Sequence, residues 1–160
     1  MIRSSAMGAL ACLVLVALLA GCSGDEGAAH DFKVVPLDDQ AKTVSLADFK
    51  GKTVLLDFWA TWCGPCNAAM PEVQMLWDKY RDKGLEVVAI THEDRQTVLA
   101  FHKAKGYTYP VYLESDAKAD EAYGVDGIPK FVLIRNGRII WQSDGYDRMG
   151  DLQPVADALN

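Results

Sequence analysis

The sequence predicts an α/β domain in which a mixed sheet lies between helices. Three observations lead to this fold class. Thr53–Trp59 is a nearly continuous apolar run, as in a central strand that is covered on both faces. Asn136-Gly137 separates two apolar segments and is the strongest short signal for a hairpin. Between them, apolar residues recur at the three- and four-residue spacing of an amphipathic helix, at Met70, Val73, Leu76, Trp77 and Tyr80.

The first half of the chain predicts a hairpin, the central strand and a long helix. Phe32–Leu37 and Lys42–Leu46 flank a short polar segment, which is a hairpin pattern. Pro36 suits only an edge position there, because proline has no N–H to donate to a neighbouring strand. The amphipathic helix is expected to follow the central strand and to run to about Lys83, where Gly84 ends it.

The second half continues the alternation of strands and helices. Asp94 is a suitable N-cap, and Gly106 and Gly124 are suitable helix ends. The predicted elements are a strand at Leu85–Thr91, helices at Asp94–Lys105 and Ala117–Tyr123, strands at Pro110–Leu113, Lys130–Arg135 and Arg138–Ser143, and a last helix that buries Leu152, Val155, Ala156 and Leu159. Parallel crossovers followed by a terminal hairpin give a mixed sheet.

The composition limits the partners of the protein. The 160 residues include 16 Lys and Arg against 22 Asp and Glu, which gives a net charge of −6. No basic stripe is present, so we expect no nucleic-acid partner. The length fits one domain with a short appendage, and we expect a monomer.

The N-terminus predicts an exported protein held at a membrane by lipid. Arg3 precedes about a dozen apolar residues that end in small ones, the pattern of a secretory signal peptide at residues 1–21. A transmembrane anchor is the alternative, but it would need about 20 apolar residues. Leu19-Ala20-Gly21-Cys22 resembles the lipobox of bacterial lipoproteins, which implies cleavage before Cys22 and a lipid on its sulfur. Residues 22–30 would then be a lipidated cysteine with a flexible tether, and residues 31–160 the folded domain, facing the periplasm or the outer side of the cell membrane.

Two cysteines remain for chemistry once the signal peptide and the lipid account for the others. Cys63 and Cys66 have C-x-x-C spacing where a strand gives way to a helix, a redox pattern. Half of a zinc site and an inert structural disulfide are the other interpretations. Tetrahedral zinc needs four ligands, and the sequence offers no second C-x-x-C. A disulfide that closes a loop of four residues constrains the unfolded chain too little to stabilise the fold strongly. We therefore expect neither a metal nor a cofactor.

A dithiol that exchanges with other disulfides needs one exposed, acidified thiol and a second thiol that resolves the mixed disulfide. At a helix N-terminus, Cys63 would be acidified by unpaired N–H groups and by the helix dipole. Cys66, three residues later on the same face, could reach back to it. Gly64 leaves room for a partner chain, and Pro65 fits the first helical turn.

Asp57 lies within the apolar strand, six residues before Cys63. Burial of a carboxylate there would be costly and should raise its pKa towards neutrality. Such an acid could accept the proton from Cys66. The alternative is that Asp57 faces solvent at the end of the strand, and alternation along the strand does not decide between the two.

The segment Phe58-Trp59-Ala60-Thr61-Trp62-Cys63-Gly64-Pro65-Cys66, together with Leu46–Lys52 and Gly127-Ile128-Pro129, resembles the thioredoxin superfamily, in particular its membrane-tethered bacterial TlpA/ResA-like branch. The resemblance covers the chain from about Phe32 onward. It implies a thioredoxin-like fold with an N-terminal β-hairpin extension.

The resemblance also assigns site residues. Pro129 would follow a cis peptide bond and face the disulfide, and Ile128 would offer backbone groups to a substrate chain. Trp62, Gly64 and Pro65 would contribute to the same binding surface. Asp57 takes the place of the buried aspartate of thioredoxins, and Glu93 falls near an active-site glutamate, across a one-residue gap.

Three positions depart from the family pattern. Many TlpA/ResA-like proteins carry Asn where this chain has Asp57. Ile90 stands where thioredoxins have a lysine, which leaves the partner of Asp57 open. Lys130 replaces the usual Thr after the cis-proline and could change substrate preference or the thiol pKa.

The predicted function is reduction of protein disulfides by the Cys63–Cys66 dithiol, with electrons from an unidentified membrane donor. Cytochrome c maturation is the setting that the family suggests. A disulfide oxidase or isomerase is the alternative with the same chemistry. A non-enzymatic copper carrier that uses the two cysteines as soft ligands is the alternative from another class.

Overall fold

The computed structural model describes residues 27–160, and the predicted signal peptide and Cys22 lie outside them. The elements, in chain order, are β1 (Lys33–Pro36), β2 (Val44–Ser45), β3 (Thr53–Phe58), α1 (Gly64–Tyr80), β4 (Leu85–Thr91), α2 (Arg95–Lys105), β5 (Val111–Leu113), α3 (Lys118–Tyr123), β6 (Lys130–Arg135), β7 (Arg138–Asp144) and α4 (Gln153–Asp157). Short 3₁₀ turns at Leu46–Phe49 and Arg81–Lys83 complete them.

In the described part of the chain the strands form one mixed sheet in the order β2-β1-β5-β4-β3-β6-β7. The β3–β4 and β4–β5 pairs are parallel, and the other pairs are antiparallel. β3 therefore lies between two strands, and all six of its residues are buried. This confirms the prediction of a central strand covered on both faces.

The N-terminal hairpin joins the sheet instead of standing beside it. β1 pairs with β2 on one side and with β5 on the other, so β2 forms one edge of the sheet and β7 the other. Only Lys33 and Val34 pair with β2, whereas Pro36 lies beyond the end of that strand and pairs with Tyr112 of β5. At Pro36, β1 has a partner strand on only one side, so this residue has the edge position that was predicted. Its nitrogen, which carries no hydrogen, faces the side without a partner strand.

The last four residues of the predicted tether belong to the fold. Ala28 forms a bridge with Arg138, and the N–H of Ala29 donates to the carbonyl oxygen of Gly137 at 2.9 Å. The N–H of Ile139 donates to the carbonyl oxygen of Gly27 at 2.7 Å. Ordered contacts thus begin at Gly27, four residues before the expected start of the domain.

Two apolar clusters cover the faces of the sheet. One contains Cys63, Cys66 and Met70 and includes side chains of α1, α2 and α4. The other contains Phe58 and Ile90 and includes side chains of α3 and of the N-terminal hairpin. Because side chains alternate along β3, Asp57 points to the first face, between Ala89 and Phe131 of the neighbouring strands.

Candidate active site

The two cysteines lie where β3 ends and α1 begins. Cys63 has extended backbone angles and is the N-cap of α1, with Pro65 in the first turn. Its sulfur accepts a 3.1 Å hydrogen bond from the backbone N–H of Cys66. Because the N-terminus of a helix favours negative charge, this position stabilises a thiolate at Cys63 in the reduced form. In the structure the two residues form a disulfide.

The expected contrast between an exposed and a covered sulfur is not present in this oxidised form. Cys63 is 4% exposed and Cys66 is 2% exposed. The sulfur of Cys63 lies 3.7 Å from the carbonyl oxygen of Ile128, which approaches it from the opposite loop. The requirement for an exposed thiol concerns the dithiol, and in the disulfide form the backbone of Ile128 lies against the sulfur of Cys63.

The peptide bond between Ile128 and Pro129 is cis, as the resemblance implies. Pro129 is buried and Ile128 is half-buried. The carbonyl oxygen of Pro129 accepts a 2.7 Å hydrogen bond from the N–H of Gly145, which fixes the loop to the end of β7. The backbone of Ile128 is thus held beside the disulfide.

Exposed residues surround the covered sulfur. Trp62 is 75% exposed, and Gly64 and Pro65 are exposed on the first turn of α1. A cavity of about 260 Å³ adjoins them and is lined in part by Trp62, Ile128 and His92. Trp62, Gly64 and Pro65 thus form the exposed surface next to Cys63, and Ile128 lines the cavity beside Trp62.

Asp57 is buried, which excludes the alternative that it faces solvent. It is 3% exposed, and removal from water raises the pKa of its carboxyl group to about 7. It points to the face of the sheet that packs against α1, where Cys66 is also buried. A carboxyl group that titrates near neutrality can give and take protons under physiological conditions.

Tyr109 is the nearby group that sequence reasoning missed. Burial raises the pKa of its phenol, and the negative charge of Asp57 raises it further. Its hydroxyl is buried without a hydrogen-bond partner among the described residues. Ile90, which occupies the position of the lysine of thioredoxins, belongs to the cluster on the face of the sheet opposite to Asp57. No local pattern links Tyr109 to Asp57, because Tyr109 lies 52 positions further along the chain, on the loop before β5.

Glu93 contacts the turn that carries the cysteines. Its carboxylate accepts two 2.6 Å hydrogen bonds from Thr61, one from the backbone N–H and one from the hydroxyl. The hydroxyl of Thr91 donates a longer bond, of 3.4 Å, to the same carboxylate. Both oxygens of Glu93 are therefore engaged in positioning Thr61, two residues before Cys63.

Asn67 completes the same turn and was not singled out from the sequence. Its side-chain amide donates 2.9 Å hydrogen bonds to the carbonyl oxygens of Thr61 and Cys63. Its backbone N–H also donates to the carbonyl oxygen of Cys63, at 3.0 Å. The turn before α1 is thus held by Asn67 of α1 on one side and by Glu93, which follows β4, on the other.

Lys130 points away from the disulfide. It pairs with Phe58 across β3 and β6, and Phe58 belongs to the cluster on the other face of the sheet. Its ammonium nitrogen lies 2.8 Å from the carboxylate of Asp144 on β7. This ion pair compensates the buried charge, so an effect of Lys130 on the thiols would have to act through the backbone of Pro129.

The sequence matches the AhpC/TSA family over residues 26–142, well over half of the chain. The chain belongs to this family. Thiol-disulfide oxidoreductase ResA of Oceanobacillus iheyensis is 33% identical to it over 147 residues, which cover 86% of this chain and 77% of that protein. The protein of the same name from Bacillus thuringiensis is 35% identical over 121 residues, which cover 74% and 70% of the two chains.

Solved structures agree with this membership of the AhpC/TSA family. A structure from Chlorobium tepidum, described as a candidate thiol:disulfide interchange protein DsbE, superposes with a TM-score of 0.73 at 32% identity and covers 83% of this chain and 95% of that one. The thioredoxin domain of a thiol-disulfide oxidoreductase from Bacteroides vulgatus superposes with a TM-score of 0.72 at 25% identity, covering 83% and 96%. The predicted thioredoxin-like fold and ResA-like resemblance are confirmed.

This AhpC/TSA-family protein is a thiol–disulfide oxidoreductase. Its relatives share that name, and the Cys63–Cys66 pair stands at the N-terminus of a helix in a thioredoxin-like fold. Among residues 27–160, no helix has the length and apolar character needed to cross a bilayer.

Proposed function

We propose that the protein reduces disulfides of exported proteins while it is anchored to a bacterial membrane through a lipid on Cys22. The observation that carries the catalytic part is the position of the Cys63 sulfur. It caps α1, lies 3.7 Å from the carbonyl oxygen of Ile128 and is surrounded by the exposed surface of Trp62, Gly64 and Pro65.

The proposed reaction starts from the dithiol. The thiolate of Cys63 attacks one sulfur of the substrate disulfide and releases the other sulfur as a thiolate, so that a mixed disulfide forms. Cys66 then gives its proton to the carboxylate of Asp57 and attacks the sulfur of Cys63. The second substrate thiolate leaves, the substrate has gained two electrons, and the enzyme holds the disulfide between Cys63 and Cys66. A membrane electron donor restores the dithiol.

Asp57 suits the proton step because its pKa of about 7 lets it be ionised before the step and protonated after it. Glu93 is better suited to positioning, since both of its oxygens already accept hydrogen bonds from Thr61. The backbone of Ile128 and the ring of Pro129 are proposed to align the substrate chain beside Cys63.

The direction of exchange is tested by the reduction potential of the Cys63–Cys66 couple in a series of glutathione buffers. A reductase should have a value near that of thioredoxin, about −270 mV, whereas a strong oxidant such as DsbA lies at about −120 mV. A reduction potential close to that of DsbA would contradict the proposed reductase and favour a disulfide oxidase. Tight binding of Cu(I) without any disulfide-reductase activity would instead favour the copper carrier.

The anchor and the setting need separate tests. Labelling with a radioactive fatty acid should mark the wild-type protein and leave Cys22→Ala unmarked, because the lipid is proposed to be attached to that sulfur. For the proposed role in cytochrome c maturation, deletion of the gene should lower the content of c-type cytochromes. A gene for the wild-type protein should restore the cytochrome content of the deletion strain, and a gene for Cys63→Ser should not. Restoration by Cys63→Ser would contradict a role of the thiol in cytochrome c maturation.

A further inference from the structure

Three metal-ligating side chains converge beside the active-site surface from distant parts of the chain. His92 directly follows β4, Glu114 directly follows β5, and Asp120 lies on α3. The Nε2 atom of His92 is 2.9 Å from Oδ2 of Asp120 and 3.9 Å from Oε2 of Glu114. One donor atom from each residue lies within 4.8 Å of the other two.

Glu114 supplies an independent sign that this cluster can take a cation. Its side chain is only 1% exposed, and Oε1 accepts a 2.6 Å hydrogen bond from the backbone N–H of Ala119. Oε2, which points to His92, is buried and has no hydrogen-bond partner in residues 27–160. Oδ1 of Asp120 is also buried without a hydrogen-bond partner in the same part of the structure. Buried carboxylate oxygens without a partner are costly, and a bound cation would remove that cost.

The neighbouring cationic groups do not satisfy these oxygens. His92 directs Nε2 to Asp120 at hydrogen-bond distance, and at 3.9 Å the same atom is too far from Glu114 for a hydrogen bond. Lys118 is exposed and lies 2.6 Å from Asp116, so its charge is engaged outside the cluster. The cluster therefore combines two carboxylates and an imidazole with too few donors.

From this geometry we infer that His92, Glu114 and Asp120 form a binding site for one divalent transition-metal ion. Imidazole nitrogen with carboxylate oxygens suits Zn²⁺, which takes such ligands at about 2.0–2.2 Å. In a tetrahedral site with these bonds, two ligand atoms are about 3.4 Å apart. The separations of 2.9 and 3.9 Å from Nε2 of His92 lie on either side of that value, and all three donor atoms lie within 4.8 Å of one another, so changes in the side-chain torsion angles can place them around one ion. Water would occupy the fourth position.

An ion can reach this site from solvent. The side chain of His92 is 42% exposed, and that of Asp120 is 25% exposed. The cavity of about 260 Å³ beside Trp62 and Ile128 is lined in part by His92 and Asp120. A second cavity, of about 490 Å³, is lined by His92 and Glu114. The bound ion would add positive charge at the rim of the surface around the disulfide.

The site is tested by calorimetric titration of the full-length protein with Zn²⁺. The protein is kept oxidised, so that the sulfurs of Cys63 and Cys66 cannot act as ligands. We expect one Zn²⁺ per chain, with affinity at least about tenfold lower in His92→Gln and in Glu114→Gln. The matched controls are His30→Gln and Asp82→Asn, which remove an imidazole and an exposed carboxylate outside the cluster and should bind as the wild type does.

The absence of Zn²⁺ binding by the wild type, or affinity equal to the wild type in both cluster variants, would overturn the inference. Because Glu114→Gln keeps an oxygen for the N–H of Ala119, it should fold, and thermal unfolding without metal checks this. X-ray absorption on the zinc-loaded wild-type protein gives a test that needs no variant. It should show only nitrogen and oxygen donors with the scattering of one imidazole, and a shell with sulfur or without imidazole contradicts the site.

Discussion

Glu93 binds Thr61 at two points, because its carboxylate accepts 2.6 Å hydrogen bonds from both the backbone N–H and the hydroxyl of that residue. The contact joins the segment after β4 to the turn between β3 and α1. From the other side, Asn67 donates to the carbonyl oxygens of Thr61 and Cys63. The backbone that places Cys63 is thus held by two side chains, neither of which touches the sulfur in a hydrogen bond.

Thr61→Val tests this contact, since it deletes one of the two donors and keeps the shape of the side chain. We expect the free energy of unfolding to fall by about 1.5–3 kcal/mol, the usual range for a hydrogen bond to a charged group. Urea denaturation of the oxidised protein measures it. Thr97→Val is the control, because its hydroxyl donates to the exposed Asp94 at the start of α2. A loss there should stay within about 0.5 kcal/mol, and equal losses in both variants would contradict a special role of Thr61.

Asp57→Asn should change the pH dependence of stability. The carboxyl group has a folded pKa of about 7 against 3.8 when unperturbed, so the folded state keeps a proton that the unfolded state has released. Stability therefore falls as the pH rises from about 4 to about 7. The full cost, about 4 kcal/mol at 1.36 kcal/mol per pH unit, is present above pH 7. The variant has no such cost.

We expect the unfolding free energies of the wild type and of Asp57→Asn to be closest near pH 4. Between pH 4 and pH 8 the unfolding free energy of the variant should rise relative to that of the wild type by up to about 4 kcal/mol. Denaturant unfolding of the oxidised forms across this range measures the gap, with Asp126→Asn as a control for charge removal at an exposed position. A gap that is the same at pH 4 and pH 8 would show that Asp57 is not a buried acid of raised pKa.

Tyr109→Phe and Tyr146→Phe should differ in their effect on stability. The hydroxyl of Tyr109 is buried without a hydrogen-bond partner among the described residues, so its removal should leave stability unchanged or raise it by about 1 kcal/mol. The hydroxyl of Tyr146 donates to the buried carboxylate of Glu72 at 2.9 Å, so its removal should cost about 1–3 kcal/mol. Thermal and denaturant unfolding compare the two variants, and a large loss for Tyr109→Phe would mean that its hydroxyl has a partner.

Cys66→Ser should trap substrates as mixed disulfides. Without the second thiol, the bond between Cys63 and a substrate protein cannot be resolved from within the enzyme. Adducts should accumulate in cells, disappear on treatment with reductant and be identifiable by mass spectrometry. Cys63→Ser is the matched control and should form none. Equal adducts with both variants would mean that Cys63 is not the attacking thiol.

Most of the fold could be read from the sequence because it depends on local patterns. Three elements are predicted by residues that lie close together in the sequence: β3 by its apolar run, α1 by its helical spacing and the last hairpin by Asn136-Gly137. Asn136 and Gly137 indeed have positive φ angles, of 52° and 73°, as the hairpin turn requires. The cysteine pair at the start of a helix could be read in the same way, since spacing and position both lie within one turn.

What the sequence left open concerns residues that meet only after folding. Alternation along a strand shows which side chains share a face but not whether the end of the strand reaches solvent, so the burial of Asp57 was decided by α1 and the neighbouring strands. The approach of Ile128 to Cys63, the two bonds from Thr61 to Glu93 and the proximity of Tyr109 to Asp57 depend on how separate elements pack. The same is true of His92, Glu114 and Asp120, which have no ligand spacing in the sequence. Local pattern therefore determined the secondary-structure elements and the reactive cysteine pair. The tertiary structure decided which side chains are buried and which residues distant in sequence come close together, and these two properties set the pKa values and the binding geometry.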